Sequence, residues 1–198
     1  MDKLSIVNEK KPLNAFYIPT PLVSEPVTHI WLMKEVYEAF YKLNRDLQDA
    51  GMTPLVGIRG YQCFAYQKKL YLNEVQRQIR AGLKEPLAYE RAKEYIAPPG
   101  CSEHQLGYSI DLALNREETL DRLWEFEASD QFAWLRAYAK EYGFILRYPK
   151  YKEDFTGQSY KPWQYRYIGV GHAKKMSRLN LCLEEYKEQF YNYQIHTY

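Results

Sequence analysis

The segment SEHQLGYSID, residues 102–111, is the most informative part of this chain. It places His104 and Asp111 on either side of Gly107. The run from Tyr108 to Leu112 alternates in polarity, which predicts a β-strand that carries Asp111. Neutral imidazole and carboxylate are both good zinc ligands, so a histidine in a loop and an aspartate in a strand can converge on one metal ion. Hydrolysis at such a metal also needs a third protein ligand and a general base.

The composition is that of a single soluble domain, with or without short extensions. The chain has 198 residues, of which 46% are hydrophobic and 26% are charged, and both fractions are ordinary for a globular protein. Its formal net charge of +2 gives no strong electrostatic reason to expect binding to nucleic acid. The three cysteines, Cys63, Cys101 and Cys182, cannot all pair with one another, and this sparse, odd number favours a reducing compartment.

The start of the sequence carries no recognisable targeting signal. Residues 1–6 lack the long apolar core and the cleavage site of a signal peptide. No apolar run approaches the roughly 18 residues that a membrane span requires. We therefore expect no membrane span. The protein is expected to be cytoplasmic, to be exported without a conventional signal peptide, or to have lost a native leader.

Helical and strand patterns follow one another irregularly along the chain. We expect an extended arm over residues 1–25, one domain over residues 26–190 and a tail over residues 191–198. The periodicity predicts helices over residues 28–50, 64–81, 86–95, 130–142 and 169–190, the last broken near Asn180, and strands over residues 55–58, 108–112, 144–148 and 163–168. This mixture favours an α+β fold on an antiparallel sheet rather than a doubly wound parallel sheet.

Several motifs resemble, in the same order, those of the VanY-type zinc D-alanyl-D-alanine carboxypeptidases. These LAS-type bacterial peptidases remove the C-terminal D-alanine from peptidoglycan stem peptides. The similarity is collinear over roughly residues 6–190 and includes VN at 7–8, GY at 60–61, PGCSEHQLG at 99–107, Asp111, EYGF at 141–144, RYP at 147–149, TG at 156–157, PW at 162–163, YRY at 165–167 and Gly169. The resemblance implies the hedgehog or LAS-type fold, a small antiparallel sheet flanked by helices with a metal cleft on the sheet.

The same resemblance implies roles for individual residues. His104 and Asp111 match two zinc ligands of the family, and Gln164 stands where the family has a histidine as the third ligand. Lys161 stands where the family has the general-base glutamate, and Gln62 stands where it has the arginine that holds the terminal carboxylate of the substrate. The other cleft positions that it implies are Tyr61, Cys63, Gln67, Ser102, Ser109 and Trp163.

Each of the three replacements opposes peptide hydrolysis. A glutamine carbonyl is neutral and weakly basic, so Gln164 is a poor zinc ligand next to imidazole. A protonated Lys161 cannot accept a proton from water, and its charge repels a dication. Gln62 lacks the charged fork with which arginine recognises a carboxylate. We therefore expect zinc to be bound weakly or not at all, and we expect the Lys161 ammonium to pair instead with Asp111 or Glu103.

Two functions from different classes stay open. The chain is either a degenerate carboxypeptidase-like domain that binds a peptide, a cell-wall fragment or a partner protein, or a working zinc carboxypeptidase or endopeptidase that cleaves peptidoglycan stem peptides. Cys63 and Cys101 could form a thiolate-rich metal site with His104, or a redox-sensitive pair, although they lack the Cys-x-x-Cys spacing. His172 could replace the missing ligand. Arg147 and Arg166 are expected to be structural residues that tie strands to loops.

Overall fold

The computed structural model describes residues 2–115 and 125–191. The strands in this part of the chain are β1 (Leu22–Ser24), β2 (Trp31–Met33), β3 (Val56–Arg59), β4 (Ser109–Ala113), β5 (Phe144–Tyr148) and β6 (Lys161–Tyr167). The helices are α1 (Lys34–Asp49), α2 (Phe64–Arg80), α3 (Glu85–Lys93), α4 (Asp130–Tyr138), α5 (Glu153–Thr156), α6 (Val170–Leu179) and α7 (Leu183–Tyr191). The 3₁₀ turns Glu103–Leu106 and Ala139–Tyr142 lead into β4 and β5.

A four-stranded sheet in the order β3-β4-β6-β5 forms the centre of the fold, and all neighbouring strands are antiparallel. The predicted α+β fold with a small antiparallel sheet is therefore confirmed. Arg59 of β3 pairs with Asp111 of β4, and Asp111 pairs on its other side with Gln164 of β6. Directly opposed residues of antiparallel strands project from the same face, with Cβ atoms about 5 Å apart. The register thus sets these three side chains in a row.

The opposite face of the sheet forms the main hydrophobic core. Ile110 and Leu112 of β4 and Tyr165 of β6 are buried in it. Helix α1 adds a stripe of buried side chains at helical spacing, namely Val36, Phe40, Leu43 and Leu47. Full burial of a side chain of this size contributes about 1.5–3 kcal/mol relative to exposure. This core therefore fixes the strands that carry the polar row.

The N-terminal arm contains a β-hairpin that the sequence did not predict. Strands β1 and β2 pair antiparallel, and β2 leads directly into α1, which begins at Lys34 rather than at Thr28. The carboxylate of Glu25 accepts hydrogen bonds from two of the backbone N–H groups that follow it and so fixes the hairpin loop. The Met33 N–H donates to the carbonyl of Gly107 at 3.0 Å. The pairing of β1 with β2 and this hydrogen bond to Gly107 thus override the helical periodicity before Lys34.

The C-terminal segment forms two helices, as the predicted break near Asn180 requires. Asn180 follows α6 in a left-handed conformation with φ of 52° and is exposed. Buried side chains of both helices then pack together with the N-terminal arm: Leu4, Ile168, Ala173, Met176, Leu183 and Tyr186. Residues 192–198 of the expected tail lie outside the described part of the chain, and the division into arm, domain and tail stays a prediction. Among the described helices, none is long and apolar enough to cross a membrane.

Candidate active site

The 3₁₀ turn before β4 brings His104 to the polar face of the sheet. The Ser102 hydroxyl accepts a hydrogen bond from the His104 N–H at 3.3 Å and caps the start of the turn. Gly107 ends the turn at φ of 74°, in the left-handed region that glycine adopts without strain. A Cβ atom at Gly107 would lie 3.1–3.2 Å from side chains of the N-terminal hairpin. The backbone and its packing therefore fix where the imidazole points.

The His104 ring is oriented as metal-binding histidines usually are. Its Nδ1 lies 2.9 Å from the carbonyl oxygen of Gly60, and a carbonyl can only accept, so Nδ1 carries the proton and donates. The other ring nitrogen, Nε2, lies 3.3 Å from Oδ1 of Asp111. An N–H to carbonyl bond at one nitrogen fixes the tautomer and leaves the lone pair of the other free for a ligand.

Asp111 is buried, with 1% of its surface exposed, and its two oxygens have different surroundings. Oδ1 has no hydrogen-bond partner within residues 2–115 and 125–191. Oδ2 lies 3.8 Å from Nη1 of Arg59. Burial opposes ionisation of the carboxyl group, but His104, Arg59 and Lys161 together hold the pKa of Asp111 below its usual value. Asp111 is therefore a carboxylate at neutral pH.

Two of the three expected ligands fit a zinc ion, and the third does not. Two ligand atoms about 2.1 Å from a tetrahedral zinc ion lie about 3.4 Å apart, which matches the 3.3 Å between His104 Nε2 and Asp111 Oδ1. The side chain next in the row is the neutral amide of Gln164. No cluster of three or more histidine, cysteine or acidic side chains suited to a metal occurs in the described residues. The residues present therefore form an incomplete zinc site.

Lys161 opens β6 and lies against the ring of Tyr148, with Nζ 5.0 Å from the ring centroid. Its ammonium donates to Oε1 of Gln158 at 3.0 Å. Burial lowers the pKa of Lys161 to about 8, against the opposing effect of Asp111. The expectation that Lys161 forms an ion pair with Asp111 or Glu103 is wrong. Within the described chain, the Lys or Arg side chain in ion-pair contact with Asp111 belongs to Arg59.

The carboxylate of Glu103 is bound by two buried arginines, Arg147 and Arg166. Arg147 binds it with two nitrogens at 2.8 Å each, and Arg166 binds it at 2.7 Å. Arg147 also binds Glu184 of α7, and Arg166 donates to the carbonyls of Lys3 and Ser5. Burial raises the pKa of Glu103, but the two arginines outweigh it and hold the pKa below 4.5. The expected structural role of both arginines is confirmed.

The other predicted cleft residues divide into two groups. Tyr61 and Ser109 each bury a hydroxyl oxygen that has no hydrogen-bond partner in the described chain, and the Gln62 N–H donates to the carbonyl of His104 at 3.2 Å. Tyr61 and Gln62 directly follow Gly60, whose carbonyl holds His104, and Ser109 lies two residues before Asp111 in β4. Gln67 instead donates to the carbonyl of Ala97, and Trp163 belongs to the main hydrophobic core.

The two alternative metal sites have no support in the geometry. Cys63 is exposed and Cys101 contacts the carbonyl of Pro99, and the described residues hold no cluster that joins them to His104 as metal ligands. His172 lies on α6, with Nδ1 2.9 Å from the hydroxyl of Tyr186 on α7. It is thus part of the C-terminal helix pair and does not replace the missing ligand.

Arg59 is the site residue that sequence reasoning missed. The strand was predicted to end at Ile58, which left Arg59 in a loop. In the structure β3 includes it, and the pairing with β4 turns its guanidinium towards Asp111. The available signal was a single charged residue directly after an apolar strand and directly before the Gly60-Tyr61 motif.

Comparison with known proteins places these features in a family context. The family model "VanY: D-alanyl-D-alanine carboxypeptidase" matches residues 29–170. The chain is 34% identical over 192 residues to the bifunctional D-Ala-D-Ala dipeptidase and D-Ala-D-Ala carboxypeptidase VanXYC of Enterococcus gallinarum, covering 95% of both proteins. It matches the structure of VanYB in complex with D-alanine-D-alanine with a TM-score of 0.81 at 28% identity, over 95% of this chain and 98% of that one. A vancomycin resistance D,D-pentapeptidase VanY variant in complex with Zn(II) matches with a TM-score of 0.78 at 28% identity, over 93% and 98%.

Proposed function

Because this chain belongs to the VanY family of D-alanyl-D-alanine carboxypeptidases, we propose that it is a catalytically silent member whose cleft binds a peptide of the peptidoglycan stem type without cleaving it. The observation that carries this proposal is the polar row on the sheet. Asp111 is flanked there by the amide of Gln164 and the guanidinium of Arg59. A working zinc site would need a third strong ligand, and a cation in contact with Asp111 opposes the binding of a dication.

The electrostatics of the row weaken zinc binding in two ways. An amide oxygen contributes far less to zinc affinity than an imidazole nitrogen, because it is neutral and weakly basic. A guanidinium cannot lose its proton at any ordinary pH, so Arg59 competes permanently with a dication for Asp111. Zinc binding in this protein is therefore proposed to be weak or absent, in contrast to the relative that was solved with Zn(II).

Proton transfer is impaired as well. The family position of the general base holds Lys161, whose pKa of about 8 keeps most of it protonated at pH 7. An ammonium cannot accept a proton from an attacking water, and loss of a general base typically costs about 10²–10⁴-fold in rate. Without a metal to activate the water, the same cleft would retain a peptide rather than turn it over.

A buried polar group without a partner supports peptide binding in this cleft. The hydroxyl of Tyr61 is buried and makes no hydrogen bond in the described chain, and the side chains of Gln62 and Gln164 add neutral amide groups. Leaving a buried polar group unpaired costs about 1–3 kcal/mol, so a ligand that pairs the Tyr61 hydroxyl gains affinity. A relative was solved with D-alanine-D-alanine bound, which supports a peptide of that class as the ligand.

A working zinc peptidase is the second candidate. The 3.3 Å between His104 Nε2 and Asp111 Oδ1, and the lack of a hydrogen bond to that oxygen in the described chain, favour it, because both are properties of a pair that can ligate a metal. In that case Gln164 would serve as a weak third ligand, and a deprotonated Lys161 would serve as the base.

Release of D-alanine separates the two candidates. The purified protein is incubated with a stem pentapeptide, with and without added zinc, and binding of the same peptide is measured by calorimetry. We expect binding without release of D-alanine. Turnover at enzymatic rates that His104→Ala abolishes would establish the peptidase and overturn the silent domain. Absence of both binding and turnover would leave a protein partner as the ligand of the cleft.

A further inference from the structure

The former metal position carries more positive charge than its single carboxylate can balance. Asp111 is influenced by two cations, Arg59 from β3 and Lys161 from β6. The other acidic group nearby, Glu103, is already bound by Arg147 and Arg166. Arg59, Lys161 and Asp111 therefore sum to one net positive charge.

The contact between Arg59 and Asp111 leaves most of the guanidinium free. The distance of 3.8 Å joins one nitrogen to one oxygen and is too long for a hydrogen bond. Arg59 makes no side-chain hydrogen bond in the described chain, although a guanidinium offers five N–H donors in a planar fork. Its side chain is 23% exposed, so a molecule in the cleft can reach it. A bidentate partner for this fork is a carboxylate.

Neighbouring donors could complete such a site. Arg59 is followed along the chain by Tyr61, whose buried hydroxyl has no hydrogen-bond partner in residues 2–115 and 125–191, and by Gln62. Gln164 lies across Asp111 in the sheet, and it contributes a second side-chain amide. A hydroxyl and amide groups can each donate to a carboxylate oxygen. Arg59 thus has groups nearby that can donate to a carboxylate, and within the described residues the acidic side chain in ion-pair contact with it is Asp111.

We infer that Arg59, assisted by Lys161, forms a carboxylate-binding site at the former metal position, and that this site holds the C-terminal carboxylate of the bound peptide. The inference rests on the proposed function, since it names the residues by which the silent cleft recognises its ligand. It differs from the family arrangement that the sequence implies, in which the arginine for the carboxylate stands at position 62. Here a cation fixed in the chain takes the place both of that arginine and of the metal ion.

A purely structural role for Arg59 predicts a different result when Arg59 is replaced. If Arg59 served only as a counter-ion for Asp111, its replacement would lower stability and leave the preference for a free carboxylate unchanged. If it binds the ligand, replacement removes that preference. The test therefore compares two ligands on each variant rather than one.

The ligands are diacetyl-L-lysyl-D-alanyl-D-alanine with a free C-terminus and the same peptide as its C-terminal amide, titrated calorimetrically at pH 7. We expect the wild type to bind the free acid about tenfold more tightly than the amide, which corresponds to about 1.4 kcal/mol. Arg59→Gln should abolish this preference, and Arg59→Lys should keep part of it because the charge remains. Arg178→Gln, which removes an exposed arginine of α6, should behave as the wild type. Thermal melts verify that each variant is folded.

A second readout makes the site testable without the peptide. Acetate is titrated into ¹⁵N-labelled wild-type protein while the Nε–H signals of the arginines are followed, with Arg59→Lys used to assign the Arg59 signal. A saturating shift of that signal is expected. If neither peptide binds but acetate moves the signal, the carboxylate-binding site is supported and the proposal that the cleft binds a peptide is overturned. Equal binding of acid and amide by the wild type, or an acetate titration that leaves the signal in place, overturns the carboxylate site while any peptide binding preserves the proposed function.

Discussion

Arg59 and Asp111 face each other across strands β3 and β4, with Nη1 of the arginine 3.8 Å from Oδ2 of the aspartate. This contact gives the buried carboxylate a permanent cation. An isolated buried charge is costly unless it is paired, and in a zinc enzyme the metal ion provides that compensation. Here the protein itself contributes the compensating charge from the neighbouring strand, and the lysine at the general-base position does not make the contact.

The first prediction compares how Arg59 and Lys161 each affect the stability of the protein. Arg59→Met should lower the free energy of unfolding by about 1–3 kcal/mol, because it leaves Asp111 without a charged partner in contact. Lys161→Met should be at least as stable as the wild type at pH 7. Burial lowers the pKa of Lys161 to about 8 from 10.5, which means that folding disfavours its charged form, and methionine removes that penalty. Urea unfolding of both variants at pH 7 measures the difference. A larger loss for Lys161→Met than for Arg59→Met would contradict this assignment of the counter-ion.

The second prediction concerns zinc. Protein purified without added metal should contain less than stoichiometric zinc. Gln164→His restores an imidazole opposite Asp111 and should raise zinc affinity, and the triple variant with Arg59→Ser and Lys161→Glu should raise it further, because both changes remove positive charge from the site. Elemental analysis and competition with a chelator give the affinities. Tightly held stoichiometric zinc in the wild type would be incompatible with this account.

Much of the fold could be predicted from the sequence, because the hydrophobic periodicity and the order of the motifs indicate the strands of the sheet and the helices. The pattern around Asp111 predicted β4, and the broken periodicity near Asn180 predicted two C-terminal helices. The β1–β2 hairpin was missed because its pairing depends on distant contacts with Gly107. Helix α4 ends at Tyr138, and the chain continues as a 3₁₀ turn, although the periodicity extends to residue 142. Local propensity does not contain these tertiary contacts.

The candidate site could be predicted only in part from the sequence, for a related reason. Family motifs located His104, Asp111 and Gln164, which the register indeed brings together. The direction of a long cationic side chain depends on strand register and bulges, and a register shift lies between Gly57 and Arg59. Sequence therefore could not show that Arg59, and not Lys161, would contact the carboxylate.

The third prediction tests the arginine network behind His104. Arg147→Met should destabilise the protein by about 3–5 kcal/mol, because it removes one of the two arginines that bind the buried Glu103 carboxylate and leaves an uncompensated charge. Glu184→Gln changes the more exposed end of the same network, keeps an acceptor there and leaves Arg147 paired with Glu103, so it should cost only about 1 kcal/mol. Chemical unfolding of the two variants provides a matched comparison. Similar losses in both would indicate that the network acts through α7 rather than through Glu103.

The fourth prediction is that this network makes the protein sensitive to acid. Arg147 and Arg166 hold the pKa of Glu103 below its ordinary value of 4.5 despite its burial. A carboxyl group whose pKa is lower in the folded state binds protons more readily when unfolded. Its contribution to stability is therefore complete above pH 4.5 and is lost as the pH falls towards the folded-state pKa. Asp111, whose pKa is also lowered from 3.8, adds to the same loss at slightly lower pH.

Two measurements examine this acid sensitivity. Urea unfolding between pH 7 and pH 3 should show constant stability down to about pH 5 and a progressive fall below it. The ¹³C signal of the Glu103 carboxyl group should titrate below 4.5, whereas an exposed glutamate such as Glu188 provides a reference in the same spectra. Asp111→Asn should keep most of the pH dependence if Glu103 dominates it. A Glu103 signal that titrates above 4.5 would contradict this account. It would mean that desolvation outweighs the two arginines, so that ionisation of Glu103 lowers the stability of the folded protein instead of raising it.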